Sequence, residues 1–236
     1  SRTSFTWGIP VPGDERHVMY VWLDALANYL TGADATGRGS LDGEWWPADL
    51  HVVGKDVVRF HAVYWPAFLM SAGIALPKTV FGHGFLLNRG EKMSKSLGNV
   101  VDPAAMVDRF GVDRLRWFLC REVAFGEDGS YSDEAIVERT NADLANGIGN
   151  LAQRSLSMVA KNLGGVMPVR GEAGETELRL KEAFLSGSEA YFTAMNALAL
   201  HKALDALMAM VAAANGYFAE NAPWALAKTD VARMAE

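Results

Sequence analysis

The fold is decided by residues 51–87, which read HVVGKDVVRFHAVYWPAFLMSAGIALPKTVFGHGFLL. The first four residues, His51-Val52-Val53-Gly54, predict a short buried strand that ends in glycine. Residues 56–72 have the long apolar face of a helix, and Pro66 predicts a kink or break within it. Residues 79–87 are again rich in β-branched and aromatic side chains, and this composition predicts another strand. A strand, a helix and a strand in this order are typical of a parallel α/β sheet.

The same pattern extends toward the N-terminus. Residues 18–23 are apolar and aromatic and predict a further buried strand, with a short helix after it. Ligands of parallel sheets bind beyond the carboxyl ends of the strands, so we expect Trp22–Asp24, Gly54–Asp56 and the loop at residues 88–98 to border a ligand site. Residues 32–47 are rich in glycine, aspartate and serine, and we expect them to form a surface insertion.

Composition restricts the class of protein. Half of the 236 residues are hydrophobic, 21% are charged and the net charge is −6, which is typical of a globular protein and argues against broad, non-specific nucleic-acid binding. Cys120 is the single cysteine, so no disulfide can form within the chain, and the composition fits a reducing cytoplasm. The cysteine and histidines lack zinc-ligand spacing, and no apolar run is long enough to span a membrane. We therefore expect a cytoplasmic protein that does not bind membranes.

After residue 98 the pattern changes to helices. Residues 99–133 predict a small connector, with two helices and then a turn-rich break at residues 125–133. The remainder predicts a helix bundle with helices at residues 134–162, at residues 175–218 and from Pro223 onward.

The loop that follows the last predicted strand carries two lysines three residues apart. It reads Asn88-Arg89-Gly90-Glu91-Lys92-Met93-Ser94-Lys95-Ser96-Leu97-Gly98-Asn99. Lysine ammonium groups neutralise charge that develops on phosphate oxygens, and the glycines allow such a loop to close over a nucleotide. A solvated surface loop is the alternative. The five residues from Lys92 to Ser96, in this order, resemble the signature loop of class I aminoacyl-tRNA synthetases.

Further segments narrow the resemblance to the methionyl-tRNA synthetase family, along the whole chain. They are Tyr20–Tyr29 (YVWLDALANY), Gly54–Pro66 (GKDVVRFHAVYWP), Asn150–Arg154 (NLAQR) and Ala222–Trp224 (APW). The resemblance implies an α/β part followed by an all-α part. It divides the chain into the second half of a Rossmann-like parallel-sheet catalytic domain with the lysine loop (residues 1–98), a connector (99–133) and a helical-bundle anticodon-binding domain (134–236).

In the family, residues of the first two segments form the wall of the methionine side-chain pocket. The resemblance assigns this role to Trp22, Ala25, Tyr29, Val57 and His61. A thioether packs favourably against aromatic edges, and tryptophan and tyrosine provide rigid apolar walls. His61 adds a hydrogen-bonding group that an aliphatic pocket lacks. For each residue taken singly, a place in the hydrophobic core is the alternative.

The resemblance also implies a site for ATP. Gly54 would let a ligand approach the backbone closely, and the Asp56 carboxylate can accept hydrogen bonds from ribose hydroxyls. A helix N-cap is an equally good explanation of Asp56. His83 and Gly84 directly precede the lysine loop, and we expect them to line the ATP site.

The implied reaction has two steps. The methionine carboxylate attacks the α-phosphorus of ATP to give methionyl-adenylate and pyrophosphate, and the terminal ribose of tRNA then takes the acyl group. Lys95 is expected to bind ATP and to stabilise the pyrophosphate end of the transition state, with Lys92 as its helper. Mg²⁺ is expected to accompany ATP.

The helical half resembles the anticodon-binding domain of the family. The resemblance assigns anticodon contacts to Asn150, Arg154 and Trp224, so methionine tRNA is the expected partner. Asparagine reads base edges, arginine stacks on or hydrogen-bonds unpaired bases, and tryptophan offers a stacking surface. A solvated helix face and a buried tryptophan form the alternative.

The sequence departs from the family pattern in one important respect. The His-Ile-Gly-His-type motif that grips ATP and the zinc-bearing insertion are both missing, so we expect a piece of a longer protein that is inactive alone. Three other interpretations remain open at this point: a leucine, isoleucine, valine or cysteine synthetase, a catalytically inert tRNA-binding module, and a structural helix bundle with an accidental lysine loop.

Overall fold

The computed structural model describes residues 6–34, 45–94, 96, 98–169 and 171–235. The chain forms two compact units, Ser1–Gly84 and Phe85–Glu236. Each unit is described by itself below. No helix within the described residues is long and apolar enough to cross a membrane.

The first unit begins with an antiparallel hairpin and a helix. Strands β1 (Pro10–Val11) and β2 (Asp14–Val18) pair, and helix α1 spans Trp22–Asp34. The buried strand predicted at residues 18–23 is therefore wrong, because β2 ends where it should begin. Val21 already accepts a helical hydrogen bond from the Ala25 N–H at 2.9 Å. A short apolar run fits a strand and a helix entry equally well, and here the helix forms.

The parallel pair predicted from residues 51–87 is confirmed. Strands β3 (His51–Gly54) and β4 (Val80–His83) are parallel, with His51 opposite Val80 and Gly54 opposite His83. A 3₁₀ turn (Lys55–Val57), a π-helical turn (Phe60–Tyr64) and helix α2 (Trp65–Ala72) connect them. Pro66 lies in the first turn of α2, immediately after the π-helical turn, where its missing N–H is tolerated. The predicted break thus occurs as a change of helical winding.

The core of the first unit is built on tryptophans. Leu26, Trp46, Trp65 and Leu69 are buried together, and Trp22 and Phe60 pack against them. Trp46 also donates its indole N–H to the carbonyl oxygen of Ala75 at 2.9 Å. The prediction of a surface insertion at residues 32–47 is wrong for Trp46, which is 2% exposed, and residues 35–44 lie outside the described residues.

The second unit begins with a three-stranded sheet. Strands β5 (Leu86–Asn88), β6 (Glu91–Lys92) and β7 (Gly129–Tyr131) are ordered β6-β5-β7. Two predictions are corrected here. The single strand predicted at residues 79–87 is split between β4 and β5, and the predicted turn-rich break at residues 125–133 contains β7. Because β7 has only three residues and pairs with a strand far away in sequence, its local pattern carries little signal.

The helices of the second unit follow the prediction closely. Helices α3 (Pro103–Phe110) and α4 (Val112–Glu122) lie in the range predicted as a connector, and the Asp102 side chain caps α3 by accepting a hydrogen bond from the Ala104 N–H. A continuous helical run follows, made of α5 (Asp133–Arg139), a π-helical segment (Thr140–Gly149) and α6 (Asn150–Asn162). The bundle is completed by α7 (Glu175–Asn196), α8 (Leu200–Asn221), α9 (Pro223–Thr229) and α10 (Val231–Ala235).

Candidate functional site

A tyrosine and a histidine form the polar side of an aromatic cluster in the first unit. The Tyr29 hydroxyl lies 2.9 Å from Nε2 of His61, and Nδ1 of His61 lies 2.9 Å from the carbonyl oxygen of Val57. A carbonyl can only accept, so Nδ1 of His61 carries a proton, and in the neutral tautomer that this fixes, Nε2 accepts the hydroxyl proton of Tyr29. His61 is 3% exposed, whereas Tyr29 is 39% exposed. The pair is therefore fixed on its inner side and accessible on its outer side.

Aromatic rings extend this pair into a wall. Trp22 stacks on Phe60 with the ring centroids 4.1 Å apart and meets the edge of His61 at 6.0 Å. Trp22 and Tyr29 come from α1, and Phe60 and His61 come from the π-helical turn before α2. The structure thus brings together three of the five residues predicted to form the methionine pocket and adds Phe60, which sequence reasoning did not assign to it.

The other two predicted pocket residues contribute less through their side chains. Ala25 is an exposed residue on α1, one turn after Trp22. Val57 holds His61 through its backbone carbonyl.

A second histidine lies behind Tyr29. The rings of His51 and Tyr29 are 4.5 Å apart, and those of His51 and His61 are 6.0 Å apart. Burial lowers the pKa of His51 below its usual value, and His61 lowers it further. His51 begins β3 and was predicted only as part of a strand, yet its ring packs against Tyr29 and His61 of the aromatic wall. The available signal for His51 was its position at the start of a predicted buried strand.

The residues predicted to bind ATP converge at the carboxyl ends of the two parallel strands. Gly54 ends β3 and His83 ends β4, directly opposite each other. Nδ1 of His83 donates to the carbonyl oxygen of Gly84 at 2.8 Å. Asp56 is exposed and lies inside the 3₁₀ turn, whose N-cap position is Gly54. The alternative explanation of Asp56 as a helix N-cap is therefore wrong.

The Asp56 side chain lies close to the position that a Cβ atom on residue 54 would occupy. A Cβ atom there would lie 2.7 Å from Oδ1 of Asp56, which is closer than real Cβ contacts. Gly54 therefore allows the Asp56 carboxylate to lie against the end of β3.

The lysine loop is organised by a residue that sequence reasoning did not single out. Oδ1 of Asn99 accepts the Ser94 N–H at 2.8 Å, and Nδ2 of Asn99 donates to the Lys92 carbonyl oxygen at 3.2 Å. The exposed Lys92 ends β6, with its ammonium 4.8 Å from the centre of the Phe85 ring. Lys95, the predicted catalytic lysine, lies outside the described residues. The described part is a short hairpin closed by an asparagine.

Two of the three predicted anticodon residues meet in the helical bundle. The Arg154 guanidinium lies 4.7 Å from the centre of the Phe218 ring and 5.2 Å from that of Trp224. Trp224 is 45% exposed, and Asn150 is exposed one turn before Arg154 on α6. Phe218 is the addition from the structure. The surface offers a guanidinium, an indole and an amide side by side, which suits unpaired bases.

No group of three or more His, Cys, Asp or Glu side chains placed to hold a metal ion occurs in the described part of the chain.

Family models match both parts of the chain. Residues 1–156 match the model described as tRNA synthetases class I (M), and residues 167–236 match the anticodon binding domain of methionyl tRNA ligase. The chain belongs to the methionyl-tRNA synthetase family. Membership in this family removes the leucine, isoleucine, valine and cysteine synthetase alternatives and the interpretation as an accidental helix bundle.

Individual members of the methionyl-tRNA synthetase family support the assignment at high identity. The chain is 61% identical over 234 residues to the methionine–tRNA ligase of Mesorhizobium japonicum, and equally so to that of Brucella suis. In both comparisons 99% of this chain aligns with 45% of the relative. The chain therefore spans about half the length of the curated relatives it matches.

Solved structures of the family share the fold. The Mycobacterium tuberculosis methionyl-tRNA synthetase in complex with methionyl-adenylate matches with a TM-score of 0.87 and 57% identity, over 99% of this chain and 47% of that one. The apo form of the same synthetase matches with a TM-score of 0.82 and 53% identity, over 99% of this chain and 46% of that one. The predicted fold, an α/β part followed by a helical bundle, is confirmed.

Proposed function

We propose that the protein is a methionine–tRNA ligase, which activates methionine with ATP and transfers it to tRNA for translation. The observation that carries the proposal is the aromatic wall, where Trp22 stacks on Phe60 and Tyr29 donates to His61. Rigid rings with one oriented polar group suit a thioether side chain. Membership in the methionyl-tRNA synthetase family and likeness to a relative that binds methionyl-adenylate add support.

In the first step, an oxygen of the methionine carboxylate forms a bond to the α-phosphorus, and the bond from that phosphorus to the bridging oxygen breaks to release pyrophosphate. The pocket formed by Trp22, Ala25, Tyr29, Val57 and His61 would hold the side chain during this attack. Shape must supply much of the selectivity, because a methylene group is worth only ~1–3 kcal/mol in an apolar pocket.

The nucleotide would bind at the ends of β3 and β4. We propose that the adenosine part of ATP is held by Gly54, Asp56, His83 and Gly84. The Asp56 carboxylate would accept hydrogen bonds from the ribose hydroxyls. ATP brings Mg²⁺ as part of the substrate. The ammonium groups of Lys92 and Lys95 would neutralise the charge that develops on the departing pyrophosphate.

In the second step, a hydroxyl of the terminal ribose of tRNA attacks the acyl carbon and AMP leaves. We propose that Asn150, Arg154 and Trp224 select methionine tRNA by contacting its anticodon. Support comes from the Arg154 guanidinium, which lies 4.7 Å from the centre of the Phe218 ring and 5.2 Å from that of Trp224, and from Asn150, which is exposed one turn earlier on α6.

We also propose that the chain is part of a longer ligase. In this proposal residues 1–98 belong to the catalytic domain, residues 99–133 form the connector, and residues 134–236 belong to the anticodon-binding domain. The 45% coverage of the relatives supports a longer protein.

The ligase activity is tested by methionine-dependent exchange of pyrophosphate into ATP, using the full-length protein that contains this chain. We expect exchange with methionine and none with leucine, isoleucine, valine or cysteine. Exchange that is independent of methionine would contradict the proposal.

The anticodon surface is tested by binding of methionine tRNA to the same protein. Trp224→Ala should weaken binding by ~1–3 kcal/mol, because one stacking surface is lost. Asn150→Ala should weaken it as well, whereas Arg179→Ala, a change on α7, is the matched control and should bind like wild type. Equal binding by all variants would argue against the surface.

A further inference from the structure

The hairpin that leads into the lysine loop has an arginine, Arg89, in its turn, where the backbone conformation disfavours that residue type. Asn88 pairs with Glu91, which leaves Arg89 and Gly90 as a two-residue loop. Both have positive φ, +50° at Arg89 and +83° at Gly90, as expected for the mirror-image turns that close two-residue hairpins. Glycine and asparagine adopt this backbone readily, whereas other L residues do so at a cost. An arginine at this position therefore needs a reason beyond the turn.

The side chain of Arg89 supplies that reason. Its Nη2 atom donates to both carboxylate oxygens of Glu134, at 3.0 and 3.1 Å. Glu134 lies in the first turn of α5, where a negative charge is favourable. Its own backbone N–H, followed by the Arg89 guanidinium, lowers the pKa of the Glu134 carboxyl. A residue in a strained backbone conformation is thus held by a charged partner on a helix N-terminus.

The backbone of the turn is attached to the same region. The Arg89 N–H donates to the Tyr131 carbonyl oxygen at 3.1 Å, and the Gly90 N–H donates to Oγ of Ser130 at 2.9 Å. The turn is therefore held by Ser130, Tyr131 and Glu134, which span the end of β7 and the start of α5. Strained residues persist where the surroundings fix them in this way, and they cluster at functional sites.

The attachment of the turn also determines the position of Lys92. Lys92 pairs with Leu87 across the hairpin, and its ammonium lies over the Phe85 ring. Phe85 is itself anchored, because its N–H donates to Oδ1 of Asp128 at 2.8 Å and its carbonyl oxygen accepts the Gly129 N–H at 2.9 Å. The two-residue turn sets the register between Leu87 and Lys92, and therefore where the ammonium emerges.

We propose that Arg89 is a positioning residue for the adenylation step: its ion pair with Glu134 holds the turn against the start of α5 and so fixes the position from which Lys92 acts on the phosphates. This inference rests on the proposed ligase function and adds to it a residue that touches neither substrate.

The test uses the full-length protein and three variants: Arg89→Asn, Glu134→Gln and the charge swap of Arg89→Glu with Glu134→Arg. Asparagine tolerates the left-handed backbone, so Arg89→Asn removes the ion pair and keeps the turn. We expect each single variant to lower kcat of methionine-dependent exchange about tenfold, because small misplacements of a reacting group are costly. The KM for methionine should stay unchanged, and the swap should recover kcat to within about threefold of wild type.

Arg179→Asn is the matched control. It removes an exposed ion pair with Glu220 (2.7 Å) in the helical bundle of the same unit, and exchange should not change. If Arg89→Asn and Glu134→Gln both keep the wild-type kcat, the inference about Arg89 is wrong while the ligase function stands. The same conclusion follows if the swap variant recovers no activity, or if the single variants lose methionine affinity in parallel with kcat. Absence of exchange in the wild-type protein would overturn the ligase function and this inference with it.

Discussion

Tyr29 and His61 show what a single pair of residues contributes to the aromatic wall. The Val57 carbonyl fixes the histidine tautomer, the histidine fixes the tyrosine hydroxyl, and the tyrosine ring is thereby held as a wall. Sequence reasoning identified the residue types and their spacing. It missed Phe60 and His51, because spacing on an ideal helix or strand does not reveal which rings will meet once a π-helical turn intervenes.

Replacing Tyr29 with phenylalanine tests the pair. Tyr29→Phe keeps the ring but leaves Nε2 of the buried His61 without its donor, which should lower the unfolding free energy by about 1–3 kcal/mol. The KM for methionine in the exchange assay should rise, because the wall is no longer fixed. Tyr191→Phe on α7 is the control and should leave this KM unchanged. A wild-type KM and stability in Tyr29→Phe would contradict the assignment.

His51 should make stability depend on pH. Its pKa is lowered by burial and by His61, so below about pH 6.5 the unfolded chain takes up a proton that the folded chain does not. The stabilisation is complete above that pH and is lost as pH falls toward the lowered folded-state pKa. Thermal unfolding between pH 8 and pH 5 should therefore show a smaller decline for His51→Gln than for wild type. Parallel curves for the two proteins would refute this.

At the scale of elements, the sequence predicted helices better than strands. Asp102-Pro103 and Ser132 mark helix starts through local hydrogen bonds, to Ala104 and Ala135 respectively, and the structure has both. The strand β7 is held by pairing with β5 from more than forty residues earlier, at Leu86 opposite Gly129. Local propensity cannot report such a partner, so β7 and the division between β4 and β5 were not foreseeable.

A buried carboxylate joins three helical elements of the second unit. Asp143 in the π-helical segment lies 3.2 Å from the indole N–H of Trp117 and 3.2 Å from Nε of Arg121, both on α4. Nη1 of Arg121 also lies 2.6 Å from Asp205 on α8. Asp143→Asn keeps the shape of the side chain but removes a negative charge beside the Arg121 guanidinium. The unfolding free energy measured in urea should therefore fall by about 3 kcal/mol.

Asp205→Asn is the comparison for that variant. The Asp205 side chain is 58% exposed, so its removal should cost less than about 1 kcal/mol. Equal losses in the two variants would mean that the burial of Asp143 does not matter.

At the scale of the whole molecule, the residues proposed to bind tRNA and those proposed to bind methionine belong to different units. The proposed anticodon residues lie within the second unit and the aromatic wall lies within the first, and the chain aligns with 45% of a curated relative. We therefore predict that residues 1–236 alone bind methionine tRNA but exchange pyrophosphate at background level. Exchange near the rate of the full-length protein would show that the chain needs nothing further for catalysis.

The uninterrupted helical run from Asp133 to Asn162 gives the second unit a lever. Glu134, which binds the hairpin turn, and Arg154, which faces Trp224, lie 20 residues apart on it, with the π-helical segment Thr140–Gly149 between them. The winding of this one helical run thus determines how a displacement at Arg154 would be transmitted to Glu134 and the base of the lysine hairpin.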